Sequence, residues 1–136
     1  MKQLFLFLFL GLSILACEPN DPVDPPAEYD PTPYALDVGY FPTPDFPADN
    51  VLTVAGVQLG RMLFYETMLS SDGSQACADC HKQIDAFSDI RQFSIGVENL
   101  PGKRQAMPVM NLAWHQNGLF WDGRAPKVRD QALKPI

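Results

Sequence analysis

The sequence predicts a mostly α domain with long loops, preceded by a proline-rich extended segment. Three observations point there. Residues 54–66 place apolar side chains at helical spacing, no segment shows the alternation of a half-buried strand, and residues 18–50 hold nine of the thirteen prolines. A length of 136 residues is enough for about one domain with a modest core.

The N-terminus reads as an export signal over residues 1–17. Lys2 supplies a small positive start, and Leu4–Leu15 forms an apolar run. That run is too short to span a bilayer, which takes about 20 apolar residues. It ends in Ile14-Leu15-Ala16-Cys17, which resembles a bacterial lipobox. The resemblance implies that Cys17 is lipidated and becomes the first residue of the mature protein, anchoring it to a membrane through more than one acyl chain. Ordinary signal cleavage leaving a free Cys17 is the alternative. The expected location is the cell envelope, as a periplasmic or outer-membrane lipoprotein.

Residues 18–50 form the expected linker. They carry eight acidic residues and no Lys or Arg, so the net charge of −6 belongs largely to them. Each proline fixes φ and removes a donor, which favours a semi-rigid spacer over a helix or central strand. The distal part, with Tyr40, Phe41 and Phe46, is apolar enough to lie against the domain. Residues 51–136 contain nine basic and eight acidic residues and no basic patch, which argues against a nucleic-acid partner.

Within 51–136, Thr53 is the expected cap of a helix from about Val54 to Glu66, with Val54, Val57, Met62, Leu63 and Phe64 favouring one face. Ser74 is expected to start a short helix carrying Cys77, Cys80 and His81. Residues 82–110 are punctuated by Gly96, Pro101, Gly102 and Pro108 and read as loop. A last helix is expected to begin near Pro126 and run through Val128–Leu133.

The chemistry is concentrated at residues 77–81, Cys-Ala-Asp-Cys-His. With Cys17 lipidated, Cys77 and Cys80 remain as a pair. Cys-x-x-Cys-His is the attachment sequence for c-type haem: two thiols on one helical turn reach the two vinyl groups along one porphyrin edge, and the next residue offers an imidazole to the iron. Zinc would want four N or S ligands, and beyond this cluster the chain offers only distant His115. A thioredoxin-like site expects a βαβ context. A Cys77–Cys80 disulfide in a haem-free lipoprotein is a further alternative. Met107, Met110 and His115 are candidate sixth ligands, set against core filler for the methionines and a surface role for the histidine. Arg124 suits bidentate pairing with a haem propionate, or else a capping or surface role. Phe64, Phe87, Phe93 and Phe120 read as core and pocket aromatics.

The surrounding stretches QLGRMLFYETMLSSDGSQACADCHKQIDAFSD, FSIGV, GKRQAMPVMNLAW and LFWDGRAPKVRDQALKPI resemble the N-terminal haem domain of bacterial di-haem cytochrome c peroxidases, a family that includes the MauG-like enzymes. The resemblance covers about Tyr40 to Ile136. It implies a cytochrome c-like fold in which Cys77 and Cys80 bind the haem that reduces hydrogen peroxide to water and His81 is its proximal ligand. Trp121 matches the tryptophan between the two haems, and Gln131 a glutamine on the distal side. Arg104 and Asn111 match a stretch near the domain interface. The family's second haem domain receives electrons from a small donor protein, a cytochrome c or a cupredoxin.

The chain departs from the family's pattern at named positions. Many members place a histidine after SIG that ligates the resting haem; here Val97 stands there, so an open or water-held sixth site is expected. Gln105 stands where many members have an asparagine that helps bind an interdomain calcium, though glutamine also offers a carbonyl oxygen. The family's second CxxCH domain and distal glutamate follow the position of Ile136. The chain is therefore expected to represent one haem domain of a longer di-haem enzyme.

Overall fold

A computed structural model describes residues 28–135. The expected export signal with its lipidation site Cys17 and the first part of the proline-rich segment lie outside the described residues. Among the described residues three α-helices are joined by long loops: α1 Val54–Tyr65, α2 Cys77–Cys80 and α3 Val128–Ala132, with single 3-10 turns at Thr67–Leu69, Gln83–Asp85, Val97–Asn99 and Leu112–Trp114. No strand occurs among the described residues; backbone pairing is limited to isolated bridges, including Pro33 with Thr53 and Leu119 with Ala125. The domain is mostly α and loop-rich, as the sequence suggests.

Thr53 caps α1 as expected: its Oγ1 accepts the Gly56 amide at 3.0 Å, and the helix ends at Tyr65, with Glu66 extended. The packed face is narrower than predicted. Val54, Val57 and Phe64 are half-buried, but Met62 is 70% exposed and Leu63 is exposed. Phe64 sets the orientation by meeting Phe87 edge-on, ring centroids 6.2 Å apart, and Met62, two residues back, falls about 200° away round the helix.

α2 is shorter than predicted and does not start at Ser74. The Ser74 amide and hydroxyl both bond Asp72 Oδ1, at 2.9 and 2.6 Å, which closes a turn. The helix opens after Ala76, whose amide is taken by Asp79 Oδ2 at 2.8 Å. α3 opens later than Pro126 because Lys127 is still extended (φ −135°).

Among the described residues the buried apolar core is thin, essentially Leu119 and Ala125, alongside buried Thr53, Ser70, Asp89 and Ser94. Most apolar side chains instead border a cavity of about 660 Å³ between α2, the 102–112 segment and the 119–135 region. That is within the range of about 300–1,000 Å³ typical of ligand pockets. The loop from Leu119 to Ala125 is closed by backbone bonds of 2.7 and 3.4 Å, and it requires glycine at 118: φ is +73°, and a Cβ there would come 2.5 Å from the Gly123 carbonyl oxygen.

The distal part of the proline-rich segment lies against the domain, though not through all its aromatics. Tyr40 is fully exposed and Phe46 is 38% exposed, whereas Phe41 lies against Trp114 with ring centroids 5.0 Å apart.

Candidate haem site

α2 places Cys77 and Cys80 one helical turn apart, and the His81 amide closes that turn onto the Cys77 carbonyl at 3.0 Å. Both thiols are free and half-buried, and burial pushes the Cys77 thiol up from its ordinary value. His81 follows as the helix cap, its φ of −125° and ψ of 67° breaking the helix and turning the imidazole out of it.

The geometry around His81 decides what the ring can do. Its Nδ1 lies 3.2 Å from the Phe87 carbonyl oxygen. A carbonyl only accepts, so this contact requires the proton on Nδ1 and leaves the Nε2 lone pair available. An outer acceptor on one ring nitrogen is the usual way a protein fixes the tautomer and raises the basicity of a metal-binding histidine. The carbonyl is presented by an unusual backbone: Ala86 and Phe87 both have φ of 55°, and the loop is pinned by Lys82 N to Ser88 O (2.9 Å) and Phe87 N to Lys82 O (2.8 Å). Two bonds then tie the loop to the 106–110 segment, Ser88 Oγ to the Ala106 carbonyl at 2.7 Å and Val109 N to the Phe87 carbonyl at 3.2 Å.

Cys80, His81, Trp121, Arg124 and Gln131 all border the 660 Å³ cavity, so the structure brings these predicted site residues together. Met107, Met110 and His115 border it as well. His115, weighed from sequence as a sixth ligand against a surface role, is exposed and borders the same cavity as His81. The Trp121 indole is 61% exposed, and its Nε1–H donates to the Gln105 carbonyl at 3.0 Å. Gln105 is in turn held by its side-chain amide, which donates to the Asp89 carbonyl at 3.0 Å. The Arg124 guanidinium stacks 3.6 Å above the Phe120 ring and pairs with Asp122, which Arg104 also reaches at 3.1 Å. Asn111 takes a left-handed φ of 56° and starts the Leu112–Trp114 turn.

Sequence reasoning missed the Asp89–Arg91 pair. Asp89 is 1% exposed, and both its oxygens accept from Arg91, with N···O distances of 2.6 to 3.0 Å. The guanidinium beside it holds the carboxyl well below the usual carboxylate range. The pair anchors the residues that follow the His81 loop. An Asp-x-Arg spacing alone carries no such signal. The Phe87 carbonyl was equally unreadable, because a backbone acceptor has no side-chain signature.

The residues present fit a covalent haem: two thiols at the right spacing, an imidazole with Nε2 free, and an apolar cavity bordered by an arginine. The comparisons with known proteins agree. The family model for di-haem cytochrome c peroxidase matches residues 54–136. The chain belongs to this family. Methylamine utilization protein MauG of Methylophilus methylotrophus is 39% identical over 90 residues, covering 66% of this chain and 27% of that protein. Cytochrome c peroxidase Ccp of Escherichia coli (strain K12) is 39% identical over 79 residues, 58% of this chain and 17% of that protein. A solved MauG-like protein associated with microbial copper homeostasis superposes with a TM-score of 0.70 at 35% identity, covering 76% of this chain and 30% of that one. The chain thus spans less than a third of the length of these relatives. Membership in the family implies haem c as the cofactor.

Proposed function

We propose that this chain carries the peroxidatic haem domain of a di-haem enzyme that reduces hydrogen peroxide to water. The observation that carries the reading is the His81 imidazole, held through Nδ1 by the Phe87 carbonyl with Nε2 free, immediately after the two attachment thiols. Cys77 and Cys80 would hold haem c through thioethers, and His81 would be its proximal ligand. When bound, the haem supplies an iron centre at which the peroxide O–O bond is reduced by two electrons. Val97 in place of the family's histidine favours a sixth position open to peroxide. Gln131 would orient peroxide in the cavity by hydrogen bonding, and Arg124, steadied by Asp122 and Phe120, would face a propionate. Trp121, fixed by the Gln105 carbonyl, would lie on the route by which electrons arrive.

The electrons would come through a second haem domain, supplied by a small cytochrome c or cupredoxin. Cys17 would anchor the protein by lipid in the cell envelope. Calcium, if bound between domains, would use the Gln105 side-chain oxygen.

A second reading follows from Met107, Met110 and His115 bordering the same cavity as His81: an electron-carrying cytochrome in which one of them is the sixth ligand. A third, oxidation of another substrate as a MauG-like enzyme, rests on the MauG relatives. The deciding experiment is the haem spectrum of the chain matured with c-type haem, before and after peroxide. A high-spin spectrum that changes with peroxide is expected. A low-spin spectrum that peroxide leaves untouched would make the chain an electron carrier.

A further inference from the structure

We propose that residues 29–50 act as a strap that sets the spacing between two walls of the haem cavity. One wall is the Leu112–Trp114 turn with His115; the other is α3, which carries Gln131. They come from separate parts of the chain, and the strap holds one residue of each. At the first clasp, Trp114 Nε1–H donates to the Pro42 carbonyl at 2.8 Å while Phe41 lies against the indole. At the second, the Arg129 guanidinium makes a bidentate pair with Asp49, at 2.9 and 3.1 Å.

The span between the clasps is short and stiff. It contains Pro42, Pro44 and Pro47, each with φ fixed; Pro44 is buried, and the Asn50 amide closes a turn on the Pro47 carbonyl at 2.9 Å. The strap's other end is fixed beside α1, by Tyr34 N to Leu52 O (3.0 Å) and Val54 N to Thr32 O (2.9 Å). An exposed ion pair adds little stability, so the Asp49–Arg129 clasp matters for where α3 sits. Asp49 and Trp114 are positioning residues: neither is placed at the reacting atoms. The proposal deepens the reading above, because the wall spacing acts on chemistry only with haem between the walls.

The test uses the full haem-loaded chain and reads two signals: amide hydrogen exchange at residues 112–115 and 128–132, and the rate at which cyanide binds the ferric haem. Asp49→Asn is expected to speed exchange in both walls, although only α3 loses a partner. It is also expected to shift the cyanide rate by up to about fivefold, the most that an exposed ion pair can couple to another site. Trp114→Phe, which keeps a ring for Phe41 but loses the bond to Pro42, is expected to loosen residues 128–132 in turn. Exchanging the pair as Asp49→Arg with Arg129→Asp should return both signals towards the parent. Faster exchange confined to the wall that lost its own contact, with cyanide binding unchanged, would overturn the strap, and so would no change in either signal. A parent chain whose haem ignores both cyanide and peroxide would sink the peroxidatic reading alone, and the exchange pattern would still decide the strap.

Discussion

The proximal segment, residues 77–89, and the opposite region, residues 112–132, face one cavity but are held by different means. In the proximal segment the bonds that set His81 are local, with added ties from Ser88 to Ala106, Val109 to Phe87 and Gln105 to Asp89. His81 reaches Phe87, Lys82 pairs with Ser88, and Asp89 binds Arg91. In the opposite region they cross the chain: Trp114 to Pro42, Arg129 to Asp49, Trp121 to Gln105, Arg104 to Asp122. A locally closed segment can hold its geometry while the rest of the domain breathes. A wall assembled from distant contacts depends on all of them.

The largest effect should come from breaking the proximal chemistry itself. Cys77→Ala with Cys80→Ala should abolish covalent haem, read as loss of the haem increment in the mass of the denatured chain. Gln131→Ala, in the opposite wall, should keep that increment in full. If both variants retained haem covalently, the attachment reading of the motif would be wrong.

Asp89 sharpens the comparison next. Removing it leaves Arg91 without its partner beside the proximal loop, and Asp89→Ala should cost about 2–3 kcal/mol. That lies below the 3–5 kcal/mol of a fully enclosed pair because the Arg91 side chain is 40% exposed. The same carboxylate gives a pH dependence whose sign is fixed. Its folded pKa is depressed, first by the Arg91 hydrogen bonds, so its contribution is present above the unfolded value of about 3.9 and is lost as pH falls towards the folded one. Thermal denaturation of the parent between pH 7 and pH 2 should show this acid limb, and Asp89→Asn should flatten it.

The two regions also explain how much could be read in advance. The α1 cap at Thr53 and the helical turn that spaces Cys77 and Cys80 were legible because each is a short-range device whose partners lie within a turn. The start of α2 was misplaced because Ser74 has two competing local partners, the next helix and Asp72, and the turn with Asp72 wins. Met62 and Leu63 were assigned to the buried face because spacing gives a stripe but not its edge, and Phe64 meeting Phe87 sets that edge. The sequence offers His115 either as a sixth ligand or as a surface residue and does not choose, since its cavity-facing position depends on a turn begun by left-handed Asn111 and on Trp114 being held from a residue far upstream. Local hydrogen-bonding chemistry is written in neighbours; cavity walls are written in contacts that composition does not reveal.

Thr53 sits where the two modes meet. Its Oγ1 caps α1 locally, and its backbone bridges to Pro33 in the strap. Thr53→Ala removes the cap and one buried methyl and should cost about 1–2 kcal/mol, seen in the urea midpoint. A markedly larger loss would mean that the hydroxyl also holds the strap's near end.

The smallest effects separate two adjacent aromatics. Tyr40 and Phe41 are alike in sequence terms, yet Tyr40 touches nothing that hides it from solvent and Phe41 covers the Trp114 indole. Phe41→Ala should cost about 0.5–1 kcal/mol, the lower part of the range for aromatic pairs, because the ring is still 55% exposed. Tyr40→Ala should stay within about 0.5 kcal/mol of the parent, as surface substitutions do. Equal losses at both positions in urea denaturation would mean that this stretch binds the domain by unselective apolar contact. A loss at Phe41 alone would mean that it docks in one register, with its clasp residues at fixed places, which is the property that lets a proline-stiffened segment hold two distant walls at a set spacing.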